Sequence, residues 1–396
     1  MKVIRNTKYV ILWLSLGFFA HNSFAATITQ ESLKQDKVAS APEVIAYNRA
    51  QTEAKGKNYI KAIASYNESL KLNPNFYFAY IGLAEVENAR GDNKMAQSHF
   101  DQAFSLGKNS PALLTAYGKY LLKNKQLDEA QVYFEKALKI APDFADANIE
   151  LAVIYLTFKK QPDKAIFHYQ QALITKPSQV DILFGLSSAQ LAAGKLPDAL
   201  ASLSKASALE PNNNLPHHFK GVYLARDKQF SMAIKELEQS LALSPNFYPS
   251  SWLLADVYLQ LNDIQKTIKI FDQLSRNSDD KPLALFKTGL LYHLQKDYVK
   301  AKSYYQSALK LNAKMAEVYN NLANISIDQN TNFGEGLSYA KKAVEIQPEN
   351  FSFLDTLGWL YYLSGDKVSA EKTLQRALKI NPNFSEAISH LQQLKK

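Results

Sequence analysis

Apolar residues recur along this chain at helical spacing, and the helical stretches come in pairs that repeat. Steps of 34 residues from Pro74 reach Lys108 and Pro142, and a step of 35 reaches Pro177. The spacing continues through Pro211, Pro245, Asp279, Ala313, Pro348 and Pro382, so seven of ten such positions are proline. Proline ends a helix because it lacks an N–H and its ring clashes with the preceding turn. With this residue as position 32, the units are 43–76, 77–110, 111–144, 145–179, 180–213, 214–247, 248–281, 282–315, 316–350 and 351–384. Position 8 is then small in every unit: Ala50, Ala84, Gly118, Ala152, Ser187, Gly221, Ala255, Gly289, Ala323 and Gly358. Position 20 is alanine in eight units, with Thr267 and Gly336 the exceptions. Position 24 is large, as in Tyr66, Phe100, Phe134, Tyr169, Phe271 and Tyr305, and position 27 is alanine in seven units.

This pattern predicts two antiparallel helices per unit. Positions 4, 7, 8 and 11 share one face of the first helix, and 20, 24 and 27 share one face of the second. Small residues let the backbones approach, and the large residue at position 24 fills the remaining gap. Turn residues such as Gly91-Asp92, Gly194-Lys195, Asn262-Asp263 and Gly365-Asp366 separate the two helices. At the joint Leu72-Asn73-Pro74-Asn75-Phe76, Pro74 ends one helix, Asn75 is expected to cap the next, and Phe76 to plug the gap between units. Asn383-Phe384-Ser385-Glu386 has the spacing of a capping box. Residues 385–396 carry an apolar stripe of Ile388, Leu391 and Leu394 and are expected to form a solvating cap. Residues 26–42 are polar, without pattern, and expected to be a disordered lead-in. Repeat seven, with Thr267, Leu274 and Asp279-Asp280, matches least well, and repeat nine holds one extra residue around Gln329–Gly336. Either is a kink or ordinary drift.

The chain resembles a tetratricopeptide repeat (TPR) array. Repeat ten carries the family signature as Leu354, Leu357-Gly358, Tyr361, Ala370, Leu374 and Pro382, with leucine in place of the usual tryptophan. Repeat four carries Leu151-Ala152, Tyr155, Ala165, Tyr169 and Pro177, and the resemblance spans 43–384. It implies an all-α, right-handed superhelical solenoid of antiparallel helix pairs, stabilised by stacking between neighbours.

The first 25 residues look like a cleaved export signal. Lys2, Arg5 and Lys8 precede an apolar run from Tyr9 to Ala20, and Ser23 and Ala25 suit a cut before Ala26. The run is shorter than the roughly 20 apolar residues that span a bilayer, so a retained anchor is the lesser alternative. A periplasmic or secreted protein is expected, with no transmembrane span after cleavage. The chain has no cysteine, which excludes disulfides, thiol chemistry and a lipidated N-terminal cysteine, so no lipoprotein is expected. The net charge of +9 becomes +6 without Lys2, Arg5 and Lys8. The lysines, including Lys159-Lys160 and Lys341-Lys342, alternate with acids and suggest solvated faces, with no nucleic-acid partner.

No catalytic, metal or cofactor motif stands out. There is no phosphate loop, dinucleotide fingerprint or H-E-x-x-H helix, and the adjacent His217 and His218 project from different faces. A non-enzymatic protein without cofactors is expected. The TPR resemblance implies that positions 2, 5, 9 and 12 of each first helix line a concave, ligand-holding groove. In repeats four to eight those positions include Ile149, Val153, Leu156, Phe184, Leu191, Leu215, Val222, Trp252, Leu259, Phe286 and Leu290. In repeats nine and ten they include Asn320, Asn324, Asp355, Trp359 and Tyr362. Contiguous exposed apolar surface marks an interaction site, so Trp252 and Phe286 are the expected anchors; alternatively, neighbouring first helices pack together and bury them. Phe286 stands where a carboxylate-gripping groove needs a lysine. The resemblance to exported bacterial TPR proteins implies a periplasmic scaffold holding a protein or extended peptide, in pilus biogenesis or exopolysaccharide synthesis and export. A carbohydrate-binding arm of an envelope enzyme complex, using Trp252, Trp359 and Tyr362, is the alternative.

Overall fold

The computed structural model describes residues 41–107 and 110–394. The expected leader, 1–25, and the lead-in as far as residue 40 lie outside the described residues. Pro42, assigned by its sequence to the lead-in, instead opens the first helix. Its fixed φ and missing N–H suit a first helical position.

Twenty-one α-helices and no strand occur among the described residues, and the chain divides into two compact units between Glu210 and Pro211. The first unit holds α1 (Pro42–Lys55), α2 (Tyr59–Leu72), α3 (Tyr77–Arg90), α4 (Asn93–Gly107), α5 (Pro111–Lys123), α6 (Leu127–Ile140), α7 (Ala145–Thr157), α8 (Pro162–Thr175), α9 (Val180–Ala192) and α10 (Leu196–Leu209). The second holds α11 (Leu215–Arg226), α12 (Phe230–Leu243), α13 (Tyr248–Gln260), α14 (Ile264–Asn277), α15 (Lys281–Leu294), α16 (Tyr298–Leu311), α17 (Ala316–Asp328), α18 (Phe333–Ile346), α19 (Phe351–Leu363), α20 (Lys367–Ile380) and α21 (Ser385–Leu394). Odd-numbered helices up to α19 open a repeat and the following even-numbered helices close it.

Within a repeat, position 8 is small because position 24 fills its space. A Cβ added at Gly118 would lie 2.6 Å from the Phe134 ring, and one at Gly289 2.6 Å from the Tyr305 ring. Such a contact cannot be relieved without moving a buried ring. The same ring can reach the next repeat: a Cβ at position 6 of repeat two, Gly82, would lie 2.3 Å from the Tyr66 ring. At Gly185, position 6 of repeat five, it would lie 2.5 Å from Tyr169. Position 24 therefore joins two helices of its own repeat to the first helix of the next. Tyr66, Phe100, Phe134, Phe271 and Tyr305 are among the largest fully buried side chains, each contributing about 1.5–3 kcal/mol of apolar burial.

The joints hold a correction. Asn75 does not cap α3; its N-cap residue is Phe76, with no side-chain cap bond. Instead Asn73, before the proline, accepts the Asn75 N–H on Oδ1 at 3.1 Å, and Asn312 and Asn381 do the same for Lys314 and Asn383 at 3.0 and 3.3 Å. An asparagine side chain bonding two residues onward makes the turn itself. At the last joint α21 begins at Ser385, whose hydroxyl donates to Glu386 beside it at 2.7 Å. Phe76 packs edge-on against Tyr47 at 5.5 Å, and Phe384 against Phe351 at 4.9 Å, so each plugs a joint.

Between paired helices, one residue takes a left-handed conformation: Gly91, Gly194 or Gly365, but elsewhere Lys57, Lys125, Lys160, Lys228, Asn262 or Lys296. In repeat nine Asn330 and Asn332 both do so, at φ 51° and 53°. The turn absorbs the extra residue there, and α17 and α18 keep their ordinary lengths of 13 and 14 residues. In repeat seven the buried Thr267 hydroxyl donates to the Asp263 carbonyl at 2.9 Å, so threonine replaces alanine without an orphaned polar group.

Candidate functional site

In the first unit, the first-helix face combines an apolar stretch with a charged one. Ile149, Val153 and Leu156 lie on α7, half-buried against Ala152, Ala165 and Ile182. Phe184, placed in the groove by its sequence position, is buried at 5% exposure. Beside this stretch Lys119 on α5 pairs with Glu150 at 3.4 Å. Burial pushes the Lys119 ammonium down, but Glu150, Asp146 and Glu85 outweigh it and hold its pKa above the ordinary lysine value. Lys119 and Glu85 both occupy position 9, which sequence reasoning passed over while following the apolar positions. The legible signal was charge at a position that is Val153 in repeat four.

In the second unit, two expected anchors turn inward. Phe286 is 9% exposed and its ring lies 6.0 Å from Tyr305, the position-24 ring of its own repeat. Trp252 leans in the same way on Phe271 at 5.5 Å, but stays half-buried, with the Lys287 ammonium 5.8 Å from its ring centre. Position 5 thus reaches its own repeat's core at Phe286, which is why that ring does not form groove surface, and Phe184 at the same position is buried too. Lys287 also faces Asp256 at 4.0 Å. Burial raises the Asp256 carboxyl pKa, and Lys287 draws it part of the way back. Val222 on α11 and Leu290 on α15 are half-buried and keep some surface.

Asn320 and Asn324 stand one turn apart on α17. Asn320 is 8% exposed, and its Oδ1 has no hydrogen-bond partner among the described residues. Asn324 is half-buried and accepts the Thr356 hydroxyl on Oδ1 at 3.4 Å. At the C-terminal end, Trp359 stacks on Tyr362 at 4.8 Å and on His390 of α21 at 4.2 Å, while His390 bonds Asp355 at 2.8 Å. Trp359 and Asp355 are therefore where the last helix docks, not free groove surface. This contact also takes up Trp359, one of the three rings, with Trp252 and Tyr362, that a sugar was expected to stack on.

The adjacent histidines part company. His217 bonds Glu236 at 2.7 Å, whereas His218 on α11 is buried and meets the Ser250 hydroxyl at 2.9 Å. Among the described residues no three histidine, aspartate or glutamate side chains are grouped to hold a metal ion.

Stacked helix pairs with a small-residue seam, and a half-exposed first-helix face mixing amides, charges and apolar groups, define a helical-repeat interaction scaffold. Models described as tetratricopeptide repeat match residues 45–76, 121–160, 159–221, 252–316 and 352–384, more than half of the chain. The chain belongs to the tetratricopeptide repeat family, whose fold binds protein partners. It is 23% identical over 355 residues to a TPR repeat-containing protein of Methanocaldococcus jannaschii, covering 82% of this chain and 62% of that one. A TPR repeat-containing protein of Pseudomonas aeruginosa is 24% identical over 198 residues, covering 49% of this chain and 33% of its own length. The chain thus spans less than two thirds of these relatives. Among solved structures, PilW, a type IV pilus biogenesis factor, is 23% identical with a TM-score of 0.45, covering 54% of this chain and 97% of PilW.

Proposed function

We propose that this protein is a non-enzymatic periplasmic scaffold holding an extended segment of a partner protein against the first-helix face of its second unit. The observation that carries this is the α17 pair, Asn320 and Asn324. A buried acceptor without a donor, as at Asn320 Oδ1, costs about 1–3 kcal/mol. A backbone N–H of a bound peptide would remove that cost, and side-chain amides complement both peptide groups. Trp252, Leu290 and the Asp256–Lys287 pair offer apolar and charged contacts on the same unit. The leader-like start, basic and then apolar before Ala25, supports export to the periplasm. An envelope assembly such as a pilus or an exopolysaccharide export machine is the process we favour.

A photocrosslinking residue at Asn324, with a control at the exposed Met232 of α12, tests the face. Ultraviolet irradiation of envelope fractions should yield crosslinks at residue 324 to a narrow set of protein segments and few at residue 232. Asn320→Ala should keep the fold and lower that yield. Equal yield at both positions would remove the assignment.

A further inference from the structure

The turns within successive repeats of the first unit follow one another along a single edge. Lys123 Nζ donates to the Asn88 carbonyl at 2.7 Å, Asn93 Nδ2 to Asn124 Oδ1 at 3.1 Å, and Lys159 pairs with Asp128 at 2.7 Å, each linking one turn to the next. That edge is basic: Lys57, Lys94, Lys125 and Lys160 are exposed along it, with Lys55, Lys61 and Lys164 nearby. Lys57, Lys125 and Lys160 sit at φ 58°, 64° and 54°. These are left-handed conformations in which glycine would be free of strain. Two of the acids on this edge, Asp128 and Asp163, are already tied to Lys159 and Lys195, at 2.7 Å each.

The opposite edge of the same unit balances Lys71, Lys139 and Lys176 against Asp143, Asp146 and Asp181. In the second unit the equivalent turns also carry Lys228, Lys266, Lys296 and Lys300, and there Asp263 and Asp297 pair with Lys266 and Lys300 at 3.3 and 3.0 Å. Within the first unit the excess lies on this edge, where the sequence pattern suggested evenly mixed faces.

Charge alone would suit any polyanion. Between these lysines, however, stand Ile60, 79% exposed, Met95, 45%, and Phe158, 58%, the last directly before Lys159-Lys160. Apolar side chains projecting among ammonium groups match a bilayer interface, where phosphates meet the lysines and apolar groups enter the headgroup layer. No helix of the described residues is long and apolar enough to cross a membrane, so the contact is peripheral. We propose that this edge of the first unit docks the scaffold on an anionic lipid bilayer, leaving the first-helix faces to hold protein partners.

The test is co-sedimentation of the purified chain, with and without residues 1–25, on vesicles of phosphatidylcholine alone or mixed equally with phosphatidylglycerol. Circular dichroism confirms that both forms keep their helicity. Both should bind the anionic vesicles and release in high salt, while the shortened form should leave neutral vesicles unbound. Each of Lys57→Gln, Lys94→Gln, Lys125→Gln and Lys160→Gln should weaken binding about fivefold, and Phe158→Ser should raise the salt sensitivity. Equal binding to both vesicle types by the shortened form, no binding, or full binding by the quadruple variant with native helicity would overturn the proposal. So would retention on an acidic polysaccharide column without vesicle binding.

Discussion

Two glycines show how finely neighbouring residues are matched. Gly82 and Gly185 are helical and stand opposite the tyrosine rings at position 24 of the preceding repeats. Where position 24 is the smaller Phe100, the facing residue is Ala116. Gly185→Ala should therefore destabilise the protein by about 1–3 kcal/mol through overpacking, measured by urea denaturation. Adding Tyr169→Leu should recover part of that loss, so the double-mutant cycle departs from additivity; strict additivity would deny the contact. His218 makes a second residue-scale case. Burial pushes its pKa down to about 4, and its Nδ1 meets the Ser250 hydroxyl, itself 2.9 Å from that of Ser240. The unfolded value is about 6.5, so the neutral ring stabilises the fold above that pH. The contribution is lost as pH falls from about 6.5 toward 4, about 3 kcal/mol in all. Comparing denaturation at about pH 7 and about pH 4.5, His218→Gln should lose less stability on acidification than the parent. Identical losses would count against this assignment.

Among the elements, the turns carry the clearest trade between stability and surface. A lysine in the left-handed region is strained by Cβ, and glycine at the same place is not. Lys228→Gly, at φ 63°, should raise stability by about 0.5–1 kcal/mol after allowing for glycine's freedom in the unfolded chain. Asp227→Gly, whose φ is −82°, should lower it; thermal melts of the two variants distinguish them. Helix pairs were legible from sequence because small residues at fixed spacing leave few other ways to pack. The turn chemistry was less so. Asn73 and Asn75 flank the same proline, and which of them bonds the backbone depends on the direction of the chain after the helix ends.

Across the whole chain, the repeat register was readable and the interaction face only partly so. Positions 5 and 9 were known by number, but the number does not say whether such a side chain is surface. Both Phe286 and Trp252 lean on the position-24 ring of their own repeat, yet Phe286 is buried and the larger Trp252 stays half-buried. Charges such as Lys119 and Asp256 were visible as letters, yet their partners, Glu150 and Lys287, come from the next repeat. The basic edge escaped notice because its lysines lie about one repeat apart in sequence and adjoin acids that the fold pairs off. A chain of near-copies also faces a counting problem, since any first helix could try to dock on any preceding pair while it folds. The Tyr66–Gly82 and Tyr169–Gly185 contacts act against such errors. A tyrosine placed as Tyr66 is, arriving at Glu150 or Ala116, would meet a side chain where Gly82 leaves space, so that out-of-order stack is disfavoured.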